Sequence, residues 1–247
     1  MTALPAPFKD VTSVVFDTDG VITDSARVHA AAWKAAFDSY LDEHPPRDPA
    51  LRGPFDVTTD YPRYVDGKSR LDGAAAFLAA RGADTSRDAV RTVAEDKEAR
   101  YVARMRDGGI PAYPGTVRLL HVLRGCGIRL AAASASRHAR ELLTRTKVLD
   151  LFDVLVDGAE AGRLGLPGKP DPALFLEAAR RLGAPPGRTA IVEDALAGVE
   201  AGRRGGFGTV VGVDRADTPR SAAALREHGA DLVVRDLGEL LDTEVTE

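Results

Sequence analysis

Two aspartates two residues apart, Asp17 and Asp19, stand directly behind the apolar run Ser13-Val14-Val15-Phe16, in the segment Asp17-Thr18-Asp19-Gly20. Ser134 follows the run at 128–133, Lys169 lies in Gly168-Lys169-Pro170-Asp171-Pro172, and Glu193-Asp194 follow Thr189-Ala190-Ile191-Val192. If these loops converge, four carboxylates, one ammonium and one hydroxyl share a small volume. Four carboxylates in close contact cannot all stay ionised without a cation. Lys169 supplies one positive charge, and a hard divalent ion with oxygen ligands would supply two more. Magnesium fits, being held typically by one or two carboxylates plus waters and substrate phosphate. An aspartate beside such a cation can attack phosphorus and become an aspartyl-phosphate. A second aspartate two residues on can give a proton to the leaving oxygen and take one from the incoming nucleophile. The lysine, the serine hydroxyl and the amides of the Asp17-to-Gly20 turn would neutralise the equatorial oxygens of the transferring group.

Each feature taken alone has a plainer reading. Asp-Thr-Asp-Gly is also an ordinary turn, or the start of a calcium loop, although the later glutamate of an EF-hand is missing. Glu193-Asp194 is also an acidic pair at a helix N-terminus, Lys169 a solvated lysine and Ser134 a helix cap. The chemical reading rests on the first pair standing after a buried strand with the others following in order.

The elements that must position these residues can be read from periodicity. Short apolar runs at 13–16, 128–133, 154–156, 189–192, 209–213 and 232–234, cut off by polar turns, are expected as buried strands of a parallel sheet. Helical patterns lie between them at 116–124, 137–146, 172–182 and 195–203, with Pro172 in a first turn and Gly183 as a C-cap. Strands alternating with helices predict an α/β, Rossmann-like doubly wound parallel sheet. In such a sheet, ligands sit outside the carboxyl ends of the strands. The stretch 28–108 breaks the rhythm, with amphipathic helices at 29–41, 72–80 and 86–105 and no convincing strand. It is therefore expected as an all-helical cap inserted into a core made of 1–27 plus 109–247, with Gly108-Gly109-Ile110-Pro111 as a linker back. Trp33 and Phe37, four apart, are expected in the core of the insertion.

Bulk properties exclude several function classes. The chain has 247 residues, 44% hydrophobic and 28% charged, which places it among globular chains and not disordered ones. A net charge of −4 offers nothing to nucleic acid or an anionic membrane. The lone cysteine, Cys126, excludes an intrachain disulfide framework and a multi-cysteine zinc site. With no basic start leading into an apolar run and no long apolar stretch, a cytoplasmic protein is expected, working as a monomer on a small molecule.

The segment Asp17-Thr18-Asp19-Gly20-Val21-Ile22-Thr23-Asp24-Ser25, with Ser134, Lys169 and Glu193-Asp194 in order behind it, resembles the four motifs of the haloacid dehalogenase superfamily. Within it the chain is most similar to the β-phosphoglucomutase-like subfamily, which includes sugar phosphatases. The resemblance implies Asp17 as nucleophile and Asp19 as general acid and base. It implies Ser134 and Lys169 on the transferring phosphate, and magnesium held by Asp17, the backbone carbonyl of Asp19, Glu193 and Asp194. It further implies a second phosphate and sugar site from Arg70, behind Val65-Asp66-Gly67, with Ser136, Arg137, His29 and Lys97, and a hexose 1,6-bisphosphate as activator. Glu98 and His138 depart from the family pattern, which expects asparagine at both places.

Three functions compete. A phosphomutase acting on a hexose phosphate is preferred, because Arg70, Ser136 and Arg137 are all present. A sugar-phosphate phosphatase shares the same core chemistry. A non-enzymatic phospho-receiver module lacks a residue in the Asp19 role and has no helical insertion. A metal-free dehalogenase would leave Asp19 and Glu193-Asp194 without a task.

Overall fold

Buried apolar residues, many of them β-branched or small, make up the strands of one parallel sheet. The computed structural model describes residues 4–107 and 109–241; Gly108, the first residue of the expected linker, lies outside them. Six strands, β1 Ser13–Phe16, β2 Arg129–Ala133, β3 Val154–Val156, β4 Thr189–Glu193, β5 Thr209–Val213 and β6 Leu232–Val234, make one sheet in the order β3-β2-β1-β4-β5-β6. Every pairing is parallel, with Val15 opposite Ala131 on one side and Ile191 on the other. All four β1 residues are buried, because both faces of a parallel sheet are covered.

The period of two sorts the sheet's side chains into two cores. Val14, Phe16, Leu130, Ala132, Ala190 and Val192 pack with Leu119, Leu120 and Leu123 of helix α4 (Pro114–Gly125). On the other face Val15, Ala131, Ala133, Ile191 and Val210 pack with Leu174, Phe175 and Ala178 of α7 (Ala173–Leu182) and Val199 of α8 (Leu196–Arg204). Helices on both faces of one parallel sheet give the doubly wound architecture that the alternating pattern predicts. In this strand order the connections reverse direction between β1 and β4, and the crevice that such a reversal opens lies past their carboxyl ends. Asp17 and Glu193 stand there.

Two further helices of this unit escape the sequence reading. The helix α6 (Gly158–Leu164), capped by Asp157, has seven residues, too few to show a period. The other, α9 (Pro219–Glu227), begins at Thr218-Pro219 with a capping box to Ser221, a start signal that its short apolar stripe does not reinforce. Pro172 precedes α7 as its cap residue instead of occupying its first turn, and Gly183 closes that helix in the left-handed conformation, φ +66°.

The second compact unit is Ser25–Ile110; the rest of the described chain forms the first. Its described residues hold helices and loops without a strand: α1 Ala26–Glu43, α2 Arg70–Ala80, α3 Arg87–Asp107, and a wide turn of helix at Tyr61–Val65. Trp33 and Phe37 belong to its core, where Phe37 lies 4.9 Å from Trp33, 5.1 Å from Phe55 and 4.1 Å from Phe77, ring centre to ring centre. Offset aromatic packing at these separations adds about 0.5–1.5 kcal/mol per pair to the burial term. Among the described residues no helix is long and apolar enough to cross a membrane.

Candidate active site

Asp17 is the first residue past β1, where the strand's last backbone bond, from its own amide to the Val192 carbonyl at 2.9 Å, fixes its position. Its carboxylate is buried and takes two donors: the Lys169 ammonium on Oδ1 at 2.6 Å and the Asp19 amide on Oδ2 at 2.9 Å. Glu193, the last residue of β4, shares the same ammonium and accepts the Ala195 amide on its other oxygen at 2.7 Å. Lys169 reaches this place from the loop before α7, with its ammonium 4.7 Å above the Phe175 ring. One positive charge thus serves two buried carboxylates. Burial, reinforced by Glu193 and Asp19, outweighs the attraction of Lys169 and pushes Asp17 up to about 8. Burial works against the charged form of Lys169, but Asp17 and Glu193 together hold it above the ordinary lysine range.

Asp19 is partly exposed, on the turn that follows. The turn closes on the Thr18 carbonyl, which accepts the amides of Ile22 at 3.0 Å and Thr23 at 2.9 Å. Gly20 takes φ +78°, and a Cβ there would fall 1.7 Å from an Asp194 oxygen. Only glycine meets both requirements, the left-handed backbone and the close approach of that carboxylate.

Ser134 follows β2 and is fully buried, with its hydroxyl 3.4 Å from Asp19 Oδ2 and accepting the Ser136 amide at 3.1 Å. It does not cap a helix, since α5 (Ala139–Arg145) starts five residues later. Ser136 in turn accepts the His138 amide at 3.2 Å, and Arg137 is exposed on that turn. Gly158 keeps this region tight: its amide donates to the Ser136 carbonyl at 3.0 Å, and a Cβ on it would lie 2.2 Å from the Ala135 oxygen.

The expected residues of the helical unit fall into two groups. Lys97 is 4% exposed, although the run Glu95-Asp96-Lys97-Glu98 has the composition of a solvated, charged helix face. Its ammonium lies 2.7 Å from His29 Nδ1, 4.8 Å from the centre of Tyr101 and 5.4 Å from that of Trp33. An ammonium can only donate, so Nδ1 accepts and the ring proton belongs on Nε2. Arg70 pairs with Glu98 at 2.8 Å, both about one quarter exposed.

Magnesium can be tested against this donor set. Asp17, Asp19, Glu193 and Asp194 outnumber the single ammonium, and a carboxyl group raised as far as Asp17 needs another cation to ionise at neutral pH. Among the described residues no three histidine, cysteine or carboxylate side chains already stand together as a metal cage. Magnesium rarely uses such a cage; one or two carboxylates, a carbonyl and waters suffice. The set fits.

Sequence reasoning overlooks several residues that shape the site. Gly198 in α8 is one, because a Cβ there would meet Glu193 Oε1 at 1.7 Å. An isolated glycine inside a helical pattern is the signal that could have found it. Arg215, Tyr113 and Thr116, which grip the turn behind Asp19, carry no such signal.

The family model of haloacid dehalogenase-like hydrolases matches residues 11–206, from the strand before Asp17 to beyond Glu193-Asp194. The chain belongs to this family. This haloacid dehalogenase-like chain is an enzyme of the phosphomutase or phosphatase type. It is 41% identical over 240 residues to a β-phosphoglucomutase of Mycobacterium tuberculosis, covering 94% of this chain and 92% of that one. A phosphorylated carbohydrates phosphatase of Thermotoga maritima is 28% identical over 227 residues, 90% of this chain and 94% of that one. Among solved structures, β-phosphoglucomutase from Clostridium difficile superposes with a TM-score of 0.69 at 25% identity, covering 93% of each chain.

Proposed function

We propose that the chain catalyses magnesium-dependent phosphoryl transfer on a sugar phosphate through an aspartyl-phosphate on Asp17, as a β-phosphoglucomutase converting β-glucose 1-phosphate into glucose 6-phosphate. The observation that carries the chemistry is the buried Asp17, placed past the central strand with an ammonium at 2.6 Å and an amide at 2.9 Å. The sugar and the reaction rest on the 41% identity with the mycobacterial β-phosphoglucomutase over nearly the whole of both chains.

In this reading an Asp17 oxygen attacks phosphorus and the bond from phosphorus to the sugar oxygen breaks. Asp19 gives its proton to that leaving oxygen, then takes one from the hydroxyl that attacks the aspartyl-phosphate. Lys169 and Ser134 hold the phosphate oxygens. Asp17, the Asp19 carbonyl, Glu193 and Asp194 would hold magnesium, which supplies charge neutralisation at the transferring group. For the mutase, a hexose 1,6-bisphosphate primes Asp17, and the unit 28–108 serves as cap, with Arg70, Ser136, Arg137, His29 and Lys97 assigned to the second phosphate and the sugar. Its working form is a cytoplasmic monomer.

One observation favours the phosphatase as a second reading. Arg70 already holds a carboxylate, Glu98, at 2.8 Å, and a second phosphate would have to displace it. Phosphorus NMR of β-glucose 1-phosphate with protein, magnesium and catalytic glucose 1,6-bisphosphate separates the two. Growth of the 6-phosphate resonance is the expected result; inorganic phosphate as sole product would establish the phosphatase instead.

A further inference from the structure

We propose that Arg215 is a positioning residue for proton transfer, acting through the turn that carries Asp19; this rests on the acid and base role of Asp19 given above. Arg215 follows β5, far from Asp19 in sequence, on a loop fixed by Asp214. That buried carboxylate accepts the amides of Ala216 and Asp217, each at 3.1 Å. From there the guanidinium reaches across the carboxyl ends of the strands. Its Nε donates to the Gly20 carbonyl at 2.6 Å, Nη2 to the Val21 carbonyl at 3.5 Å, and Nη1 to the Arg235 carbonyl behind β6 at 3.0 Å. Its flat face rests on Tyr113, 3.6 Å from the ring centre, and Asp236 lies 3.8 Å from Nη1.

The segment it grips begins one residue past Asp19. Tyr113 and Thr116 hold the same segment from another direction: the Tyr113 amide bonds the Ile22 carbonyl at 2.9 Å, and the Thr116 hydroxyl bonds the Val21 carbonyl at 2.8 Å. The Tyr113 hydroxyl donates to Asp24 at 3.0 Å, where the chain leaves for the helical unit. Burial pushes the Tyr113 phenol above its ordinary range, which keeps it a donor. A planar guanidinium can stack on a ring and address three carbonyls at once, whereas a lysine offers a point charge. The Asp194 carboxylate also stands against this turn, where its oxygen would lie 1.7 Å from a Cβ on Gly20. Loosening the turn would therefore shift Asp19 relative to the leaving oxygen while Ser134 and Lys169, carried on other loops, keep their hold on phosphate.

The test compares a substrate whose leaving group needs a proton with one whose leaving group does not. Arg215→Lys is assayed with β-glucose 1-phosphate in the steady state and with 4-nitrophenyl phosphate in a single turnover. The expected result is a loss of kcat on the sugar phosphate of about tenfold or more, with KM changed less than about threefold. Release of 4-nitrophenolate, a stable anion on leaving, should slow by less than about threefold. Equal losses on both substrates, a change in KM alone, or no loss would overturn the proposal. Should Arg215→Lys fail to fold, Tyr113→Leu removes the surface under the guanidinium and is read by the same two assays. A parent protein that turns over neither substrate overturns the phosphoryl-transfer reading and this proposal together. A working parent that the variants match overturns the proposal alone.

Discussion

Asp17 and Glu193 share one ammonium in a site almost closed to water, and that imbalance governs what substitutions there should do. In the proposed reading Asp17→Asn removes the nucleophile, so turnover of β-glucose 1-phosphate should fall by at least about 10⁴-fold. The same change takes one of two buried carboxylates off Lys169 and leaves a one-to-one pair with Glu193. Burial had made the ionised Asp17 unfavourable, so the variant should melt no lower than the parent. A calorimetric scan beside the rate assay checks both halves, and a large drop in melting temperature would mean that the pair stabilises the fold. Gly198→Ala probes the same cluster from behind. The new methyl meets Glu193 Oε1 at 1.7 Å and must push that side chain away from Lys169 and from the Ala195 amide. Overpacking typically costs about 1–3 kcal/mol, against about 1 kcal/mol returned by the better helix former. Urea unfolding should thus show a net loss, with kcat reduced alongside.

At the scale of elements, helices α6 and α7 are tied by charge at their surface. Glu160 of α6 accepts both Arg163 and Arg181, and Glu177 of α7 accepts Arg180 and Arg181. The hydrogen bonds from Arg163 and Arg181 bring Glu160 down to about 2, and those from Arg180 and Arg181 do the same for Glu177. Carboxyl groups held below their unfolded value near 4.5 bind fewer protons in the folded state. Their contribution is complete above that value and disappears as pH falls from about 4.5 to about 2. Their side chains keep 28% and 13% exposure and pair with surface arginines, so the effect is small and sensitive to salt. Glu160→Gln should flatten the dependence of stability on pH across that window and leave it unchanged near neutrality. Denaturant midpoints at several pH values, at low and high salt, measure this directly.

For the whole molecule, the question is whether one chain carries both the chemistry and the retention of a twice-phosphorylated intermediate. The proposed chemistry is assigned to the sheet unit, where Asp17, Lys169 and Glu193 meet. The retention is assigned to the helical unit through Arg70, now paired with Glu98. Arg70→Ala should lower the rate of isomerisation by about tenfold or more, while hydrolysis of a simple aryl phosphate changes little. Parallel assays of the two reactions check this; equal losses would remove Arg70 from the second phosphate.

Much of this was legible in the chain because its signals are local. Apolar runs ending in polar turns marked all six strands, since a strand buried on both faces needs no alternation. Asp17, Asp19, Ser134 and Glu193-Asp194 stand at the ends of such runs and Lys169 on a loop before a helix, and their order matches a family pattern that depends only on residue type and sequence. Short helices were harder: α6 offers seven residues and a cap, less than the period needs to declare itself. What lay beyond reach was every relation between distant segments. Lys97 reads in sequence as part of the charged run Glu95-Asp96-Lys97-Glu98, yet it is buried against His29, Trp33 and Tyr101, because helix packing and not composition selects the face that turns inward. Arg215 reads as one arginine among many, yet 195 residues separate it from the Gly20 carbonyl that it holds. Residue types and short spacings thus fixed the chemistry available to this protein. Which charges share one proton donor, which glycine makes room for which carboxylate, and what grips the turn behind Asp19 were settled by long-range packing, because those energies exist only once the strands have paired.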